Sequence, residues 1–168
     1  GSRMISDPLH MLDCCVICDG GGAVIVASPE LARNAKTKPV WVLGMAESIA
    51  HQGAGLRDLQ YTASAQSGPP AMEMAGITHA DIDMCMIYDS FTITVLETLE
   101  DLGFCKKGEG GEFVTGGRLQ IGGELPLNTD GGGLSSNHPG MRGIFLLIEA
   151  TKQLRGDWEG TPRQVNDC

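Results

Sequence analysis

Residues 128–143 read Asn-Thr-Asp-Gly-Gly-Gly-Leu-Ser-Ser-Asn-His-Pro-Gly-Met-Arg-Gly, and the most apolar segment of the chain follows directly. Glycines let a backbone approach a ligand or another strand closely. Pro139 has a fixed φ suited to a first helical position, with Ser136 or Asn137 available to cap. The order predicts His138 at the mouth of a buried helix. The partial positive charge there disfavours imidazolium, so the ring is expected to stay neutral at physiological pH. A neutral imidazole can take a proton or donate one to a developing oxyanion. The competing reading is a turn histidine satisfied by a nearby carbonyl. The glycine run on one side and the long apolar helix on the other favour a tight crossing near a cavity.

Outward from this stretch, 168 residues with 42% apolar content are enough for one domain with a real core. The 24 glycines, without a collagen period, imply tight turns and close backbone approaches. A formal charge of −9, with no run among the 12 Lys and Arg, argues against nucleic acid as a partner. No stretch is long and apolar enough to span a membrane, and Gly-Ser-Arg-Met at the start resembles an expression scar rather than a signal peptide; a cytoplasmic location is expected. Of six cysteines, Cys14, Cys15 and Cys18 lie close together but lack a second pair at metal-ligand spacing. Cys85 sits in an apolar run and reads as core. Reduced thiols and no metal site are expected.

The apolar residues 16–27, interrupted by Asp19-Gly20-Gly21-Gly22, predict a strand reached through a glycine turn. Ser28-Pro29-Glu30 predicts a helix to about Ala35. Residues 40–49 read as a strand buried on both sides, 51–68 as a surface loop, and Pro69-Pro70 as the opening of a helix closed by Gly76. After a turn at 78–83 and an apolar run at 84–88, Asp89 and Ser90 are expected to cap a helix over 91–102. Its buried face is Val95, Leu99 and Leu102, with Glu97, Glu100 and Asp101 away from it. Residues 106–123 hold seven glycines and read as an extended loop, and 125–128 as a third strand. Met141, Ile144, Phe145, Ile148 and Leu154, widened by Leu147 and Ala150, predict a final helix sandwiched between layers. The alternation implies a layered α/β fold.

The residues Asn128, Gly131, Gly132, His138, Pro139 and Gly143 resemble the C-terminal half of the thiolase superfamily, although Asn137 stands where most thiolases have Gly. The wording is most similar to sterol-carrier-protein-type thiolases and the related steroid side-chain aldolases. Cys18-Asp19-Gly20-Gly21 resembles the end of the thiolase N-terminal half, and Asp81-Ile82-Asp83 with the following run resembles the start of the Asn-Glu-Ala-Phe region. The resemblance implies a thiolase-like layered fold with a mixed sheet and a buried helix. It divides the chain into residues 1–35, the last strand and connecting helix of the N-terminal half, and 36–168, the C-terminal domain stopping before its last strands.

It further implies an acyl-CoA acyltransferase active on lipid or sterol side chains. The substrate is a coenzyme A thioester, with no permanently bound cofactor. The acyl-accepting cysteine of the family belongs on a helix preceding residue 1, so the chain is expected to be a fragment, inactive alone, that pairs with the missing N-terminal half. The resemblance also implies a homodimer when intact and, for the aldolases, a small zinc-ribbon partner. It implies catalytic roles for His138 and Tyr88, and a coenzyme A-binding role for Asn128, Gly131, Gly132 and Gly133. Tyr88-Asp89-Ser90-Phe91 replaces the usual Asn amide with a phenol that donates a hydrogen bond or shuttles a proton; the other reading is a strand-end Tyr with a wet hydroxyl. Asp89 reads as a structural carboxylate and Cys168 as an ordinary terminal residue. Three activities stay open: acyl transfer, retro-aldol cleavage of a steroid side-chain thioester, and a non-catalytic lipid-carrier role.

Overall fold

The computed structural model describes residues 1–50, 58–165 and 168. A two-stranded antiparallel hairpin opens the chain, β1 (Met4–Ser6) against β2 (Leu9–His10). Ser28 caps α1 (Pro29–Arg33) through the Leu31 N–H, as its residues predict, and the helix stops at Arg33 rather than Ala35. There follow α2 (Ser64–Ala75), α3 (Thr92–Asp101), α4 (Gly110–Phe113), α5 (Gly132–Ser135) and α6 (Gly143–Arg155). α2 begins before Pro69 and Pro70, which lie inside it, and ends at Gly76 in the left-handed conformation. α4 interrupts the segment predicted as wholly extended. Residues 51–57 of the expected surface loop lie outside the described residues.

The apolar runs are extended, but they meet neighbours in isolated bridges rather than continuous ladders. Cys14 pairs antiparallel with Phe91, while Ile17–His138 and Cys85–Leu127 are parallel. The pairing is thus mixed and the class α/β, whereas the strands expected at 16–27, 40–49 and 125–128 are not formed as such. A strand exists only when a second backbone satisfies its N–H and C=O groups. The side chains report the same lack of neighbours: Ile17 and Ile25 are each 96% exposed. Trp41, Val42 and Ile49 are exposed too, against the expectation of a strand buried on both sides. Gly44 still crosses α2 so closely that any Cβ would strike the Ala71 carbonyl.

The core is Cys85, Ile87, Val95, Leu99 and Leu125, with Leu102, Phe104 and Phe113 packed around it. α3 turns Val95 and Leu99 inward as its period predicts, and Gly103 ends it with φ 85°. Asp101 departs from the expected outer face. It is buried, and its carboxylate accepts from the backbone N–H and hydroxyl of Thr62 at 2.6 and 2.8 Å.

α6 also inverts its prediction. Its buried residues are Glu149 and Gln153, while Met141 just before it is 83% exposed and Leu147 and Leu154 are exposed. Ile144 and Ile148 are covered by residues 20–22, where a Cβ on Gly22 would lie 2.5 Å from Ile148. On the inner face Glu149 accepts from the Thr129 hydroxyl at 2.6 Å, the Gln153 amide at 3.0 Å and both ends of the Arg163 guanidinium at 3.1 and 2.7 Å. Gln153 in turn donates to the Arg163 carbonyl and accepts from the Val165 N–H. Polar residues win this face because the segment 158–165 and Thr129 present groups that must be bonded when buried.

Two contacts fix the segment 125–134 against residues 84–89. The Asn128 side chain donates to the Ile87 carbonyl and accepts from the Ile87 N–H, both at 2.9 Å, so an amide side chain continues the ladder where the backbone turns away. Asn128 itself takes φ 48°, which asparagine tolerates better than most residues. One residue pair further on, the buried Asp89 accepts from Gly133 N–H at 2.7 Å and Leu134 N–H at 3.2 Å. Asp89 therefore caps α5 across the fold, not α3, whose N-cap Phe91 makes no side-chain cap bond. Gly132, at φ 67°, leaves no room for a Cβ beside the Asp89 carboxylate.

Two expectations follow. Gly132→Ala combines a positive φ with a collision against Asp89, so urea denaturation should show a loss of about 1–3 kcal/mol or more. Burial by itself raises the Glu149 carboxyl, but bonds from Thr129, Gln153 and Arg163 and the Arg163 charge outweigh it and hold it below its ordinary 4.5. A depressed carboxylate stabilises the fold above the unfolded-state value and loses that contribution as pH falls through the folded one. Stability should therefore drop on acidification below 4.5, and Glu149→Gln should flatten that part of the denaturation profile.

Candidate active site

Residues 84–89 alternate in burial. Cys85, Ile87 and Asp89 turn inward, and Met84, Met86 and Tyr88 are half-buried on the other side. This period of two sends Asp89 under the glycine loop and Tyr88 toward the His-Pro step. The Tyr88 ring meets the His138 ring edge-on, with centroids 5.3 Å apart and planes at 87°. Its hydroxyl donates to the Gly140 carbonyl at 3.2 Å and accepts from the Arg142 N–H at 3.4 Å. The two residues singled out from sequence are thus brought together, though fifty positions separate them.

His138 is half-buried, and its Nε2 is enclosed with no hydrogen-bond partner among the described residues. Leaving an enclosed ring nitrogen unbonded costs about 1–3 kcal/mol, which a turn histidine has no need to bear. The His138 backbone is held from the N-terminal side. Ile17 forms its parallel bridge with His138, and the His138 N–H donates to Cys18 Sγ at 3.1 Å. A Cβ on Gly133 would lie 2.9 Å from the His138 ring, so this glycine admits the imidazole. The helix after the ring differs from its prediction. α6 starts at Gly143 with Arg142 as N-cap, and neither Pro139, Ser136 nor Asn137 takes the expected place. Gly140 at φ 82° turns the chain first, so the expected action of the helix dipole on His138 does not apply.

The residues read as coenzyme A-binding sit beside this pair. Gly131, Gly132 and Gly133 form the N-terminal turn of α5, and the space they leave is filled by Ser135, Asp89 and His138. Both polar ends of the Asn128 amide are engaged by Ile87. An apolar groove of about 530 Å³ opens next to them, lined by Val95, Leu96, Val114, Leu119, Leu127 and Leu134, with Asn128 and Gly131 on its wall.

Three contributors escaped the sequence reading. Arg142 is fully buried, forms an ion pair with Asp130, and donates from Nε to the Asn137 carbonyl at 3.0 Å. Asp130 also accepts from Gly132 N–H at 3.0 Å. Cys18, read from sequence as one of three clustered thiols and as the start of the Cys18-Asp19-Gly20-Gly21 stretch, accepts from the His138 N–H. The available signal for Arg142 was a lone charge between a glycine turn and an apolar helix. Among the other thiols, burial pushes Cys85 up to about 12, in keeping with a core side chain. Burial and the nearby Asp83 also push the half-buried Cys168 up. Among the described residues no group of three or more His, Cys, Asp or Glu is arranged to hold a metal ion. No helix among them is long and apolar enough to cross a membrane.

This arrangement supplies one imidazole and one phenol in edge contact at the Gly140 turn, while the apolar groove opens on the Asp89 side of residues 84–89. Such a pair can move a proton to and from a carbon–oxygen centre. Comparison with known proteins places the geometry in context. The chain is 39% identical to the steroid side-chain-cleaving aldolase of Thermomonospora curvata over 99% of its own length and 44% of the aldolase. It is 38% identical to an acetyl-CoA acetyltransferase of Methanothermobacter thermautotrophicus over 98% of its length and 43% of that enzyme. Among solved structures, the Ltp2–ChsH2(DUF35) aldolase superposes with a TM-score of 0.89 at 35% identity, covering 99% of this chain and 44% of that one. The chain thus spans under half the length of these relatives. Residues 44–168 match the thiolase C-terminal domain-like family, and the chain belongs to that family.

Proposed function

We propose that this chain provides the acid–base half of an enzyme that cleaves a carbon–carbon bond in a coenzyme A thioester by a retro-aldol reaction. The observation that carries the reading is the Tyr88–His138 contact, with its hydroxyl oriented by Gly140 and Arg142 and the imidazole Nε2 unbonded. In a β-hydroxyacyl thioester, His138 takes the hydroxyl proton and the oxygen becomes a carbonyl. The bond to the α-carbon breaks, and its electron pair enters the thioester as an enolate. The Tyr88 phenol delivers its proton to that α-carbon, giving a shortened acyl thioester, and the imidazolium then returns a proton to the phenolate. No proton is gained or lost overall, and no acyl-enzyme is needed. The likeness to two aldolases supports a substrate whose β-carbon belongs to a steroid.

A second reading is acyl transfer of the thiolase type, favoured by the likeness to an acetyl-CoA acetyltransferase. There a cysteine outside this chain attacks the thioester, and His138 polarises a carbonyl. In both readings residues 1–35 end an N-terminal half, residues 36–168 form the C-terminal domain, and Asn128 and Gly131–Gly133 shape the coenzyme A side of the pocket. The DUF35 component in the name of the solved aldolase supports a small partner subunit. The exposed apolar edges at 16–26 and 41–49 suit the packing of the missing half, in a dimer located in the cytoplasm.

Kinetics on the full-length protein test the choice. With a β-hydroxyacyl-CoA whose β-carbon lies on a steroid ring, His138→Ala and Tyr88→Phe should each lower kcat/KM about 10²- to 10⁴-fold. Unchanged turnover in either variant removes that residue from the mechanism. Rapid thiolysis of acetoacetyl-CoA, with no cleavage of the hydroxyacyl thioester, selects the second reading.

A further inference from the structure

Beyond the two reacting side chains, the structure holds a third residue that fixes both. We propose that Arg142 is a positioning residue that sets His138 and Tyr88 relative to each other, an inference that rests on reading that pair as the proton-transfer centre. Its side chain is 0% exposed although it carries a full charge. Burying a guanidinium is costly unless it is paired and hydrogen-bonded. Here two of its three nitrogens reach acceptors, Nε donating to the Asn137 carbonyl at 3.0 Å and Nη2 pairing with Asp130, while Nη1 is buried without a partner among the described residues. The Asn137 carbonyl belongs to the peptide bond whose nitrogen is that of His138, the same N–H that donates to Cys18. The guanidinium and the cysteine thus grip both sides of one peptide plane, and rotation of that plane would swing the imidazole.

The backbone of Arg142 serves the other partner. Its N–H donates to the Tyr88 oxygen at 3.4 Å while the phenol donates to Gly140 at 3.2 Å, so the hydroxyl lies against the same turn. Residues 137–142 are thereby closed into an arc by their own arginine, with His138 inside it and Tyr88 resting on its end. Asp130 extends the brace to the glycine loop, because its other oxygen accepts from Gly132 N–H and the next residue, Gly133, abuts the His138 ring. Among the described residues no neighbouring side chain duplicates this. The Asn137 side chain donates to Ser136 at 3.3 Å, and Pro139 and Gly140 carry no side-chain donor. A lysine could meet Asp130 but could not present two donors in a fixed plane.

The test uses full-length protein carrying Arg142→Lys, and the charge-matched pair Arg142→Gln with Asp130→Asn. The readouts are kcat and KM with the steroid β-hydroxyacyl-CoA and with acetoacetyl-CoA, the Cε1–H NMR signal of His138 in ¹³C-histidine protein, and melting temperature. That signal is assigned by its loss in His138→Ala. In both variants kcat should fall about 10- to 100-fold, as a misplacement of about 1 Å can produce, with KM moving less than about threefold and the His138 signal displaced. Should the double variant fold poorly, Arg142→Lys keeps the charge beside Asp130 and carries the test. A lowered melting temperature with kcat and the His138 signal both unchanged overturns the proposal. A displaced signal in a protein inert toward both thioesters supports the positioning role and instead removes the reaction assigned to the pair.

Discussion

The Asp89 carboxylate, buried under the glycine loop, is the tie on which the rest of the molecule depends. It receives the N–H groups of Gly133 and Leu134 at the point where residues 84–89 end and α5 begins. Charge-assisted bonds of this kind are among the stronger ones in a protein, and the Gly133 bond is buried. Because side chains alternate along an extended segment, a downward Asp89 requires the preceding Tyr88 to face the other way, toward His138. The carboxylate therefore does two things at once. It neutralises the N-terminus of a very short helix, and it sets the side from which the phenol approaches the imidazole. The Asn128 clamp on Ile87 extends the same tie, so the glycine loop is bound to the 84–89 segment at two successive inward positions, through the backbone of Ile87 and the side chain of Asp89.

Around this tie the polar groups form two connected regions. Arg142 and Asp130 brace the His-Pro turn, while Glu149, Thr129, Gln153 and Arg163 fasten α6 to the segment that follows it. Thr129 and Asp130 are adjacent, so one dipeptide just ahead of the glycine run anchors both. The apolar core beneath α3 is a separate unit of a few buried residues. In this fold much of the inner surface of α6 is thus held by hydrogen bonds, and Ile144, Phe145 and Ile148 meet the glycine-rich residues 20–22. Together with the exposed apolar residues at 16–26 and 41–49, that leaves a layered α/β unit whose extended segments present apolar side chains outward, in a chain that spans 44% of its aldolase relative.

Local signals with a local cause could be read directly. Ser28-Pro29 starts a helix because a hydroxyl can take the Leu31 N–H within one turn, and Gly76 and Gly103 end helices because each adopts a positive φ. The face of α3 followed from its period. The thiolase-like pattern in residues 128–143 carried the family membership and marked His138, and the box at residues 88–91 marked Tyr88. Misread features each had a distant partner. Asp89 looked like a cap for the next helix but binds a turn 44 residues on. Glu149 and Gln153 lie within a run that scans as apolar, and their burial is determined by residues 158–165. The runs at 16–27 and 40–49 have strand composition, yet composition provides no second backbone to bond.

By itself, then, the sequence determined which segments are stiff, apolar or able to turn, because those properties reside in single residues and their near neighbours. It also determined the class of chemistry available, since an imidazole, a phenol and a glycine loop are fixed by residue type. Only the tertiary structure decided that Tyr88 and His138 touch, that Asp89 and Asn128 serve the loop, and that a buried arginine braces the turn. Each of those depends on which of several possible partners folding brings within hydrogen-bonding range, and a bond that acts over about 3 Å leaves no periodic trace along the chain.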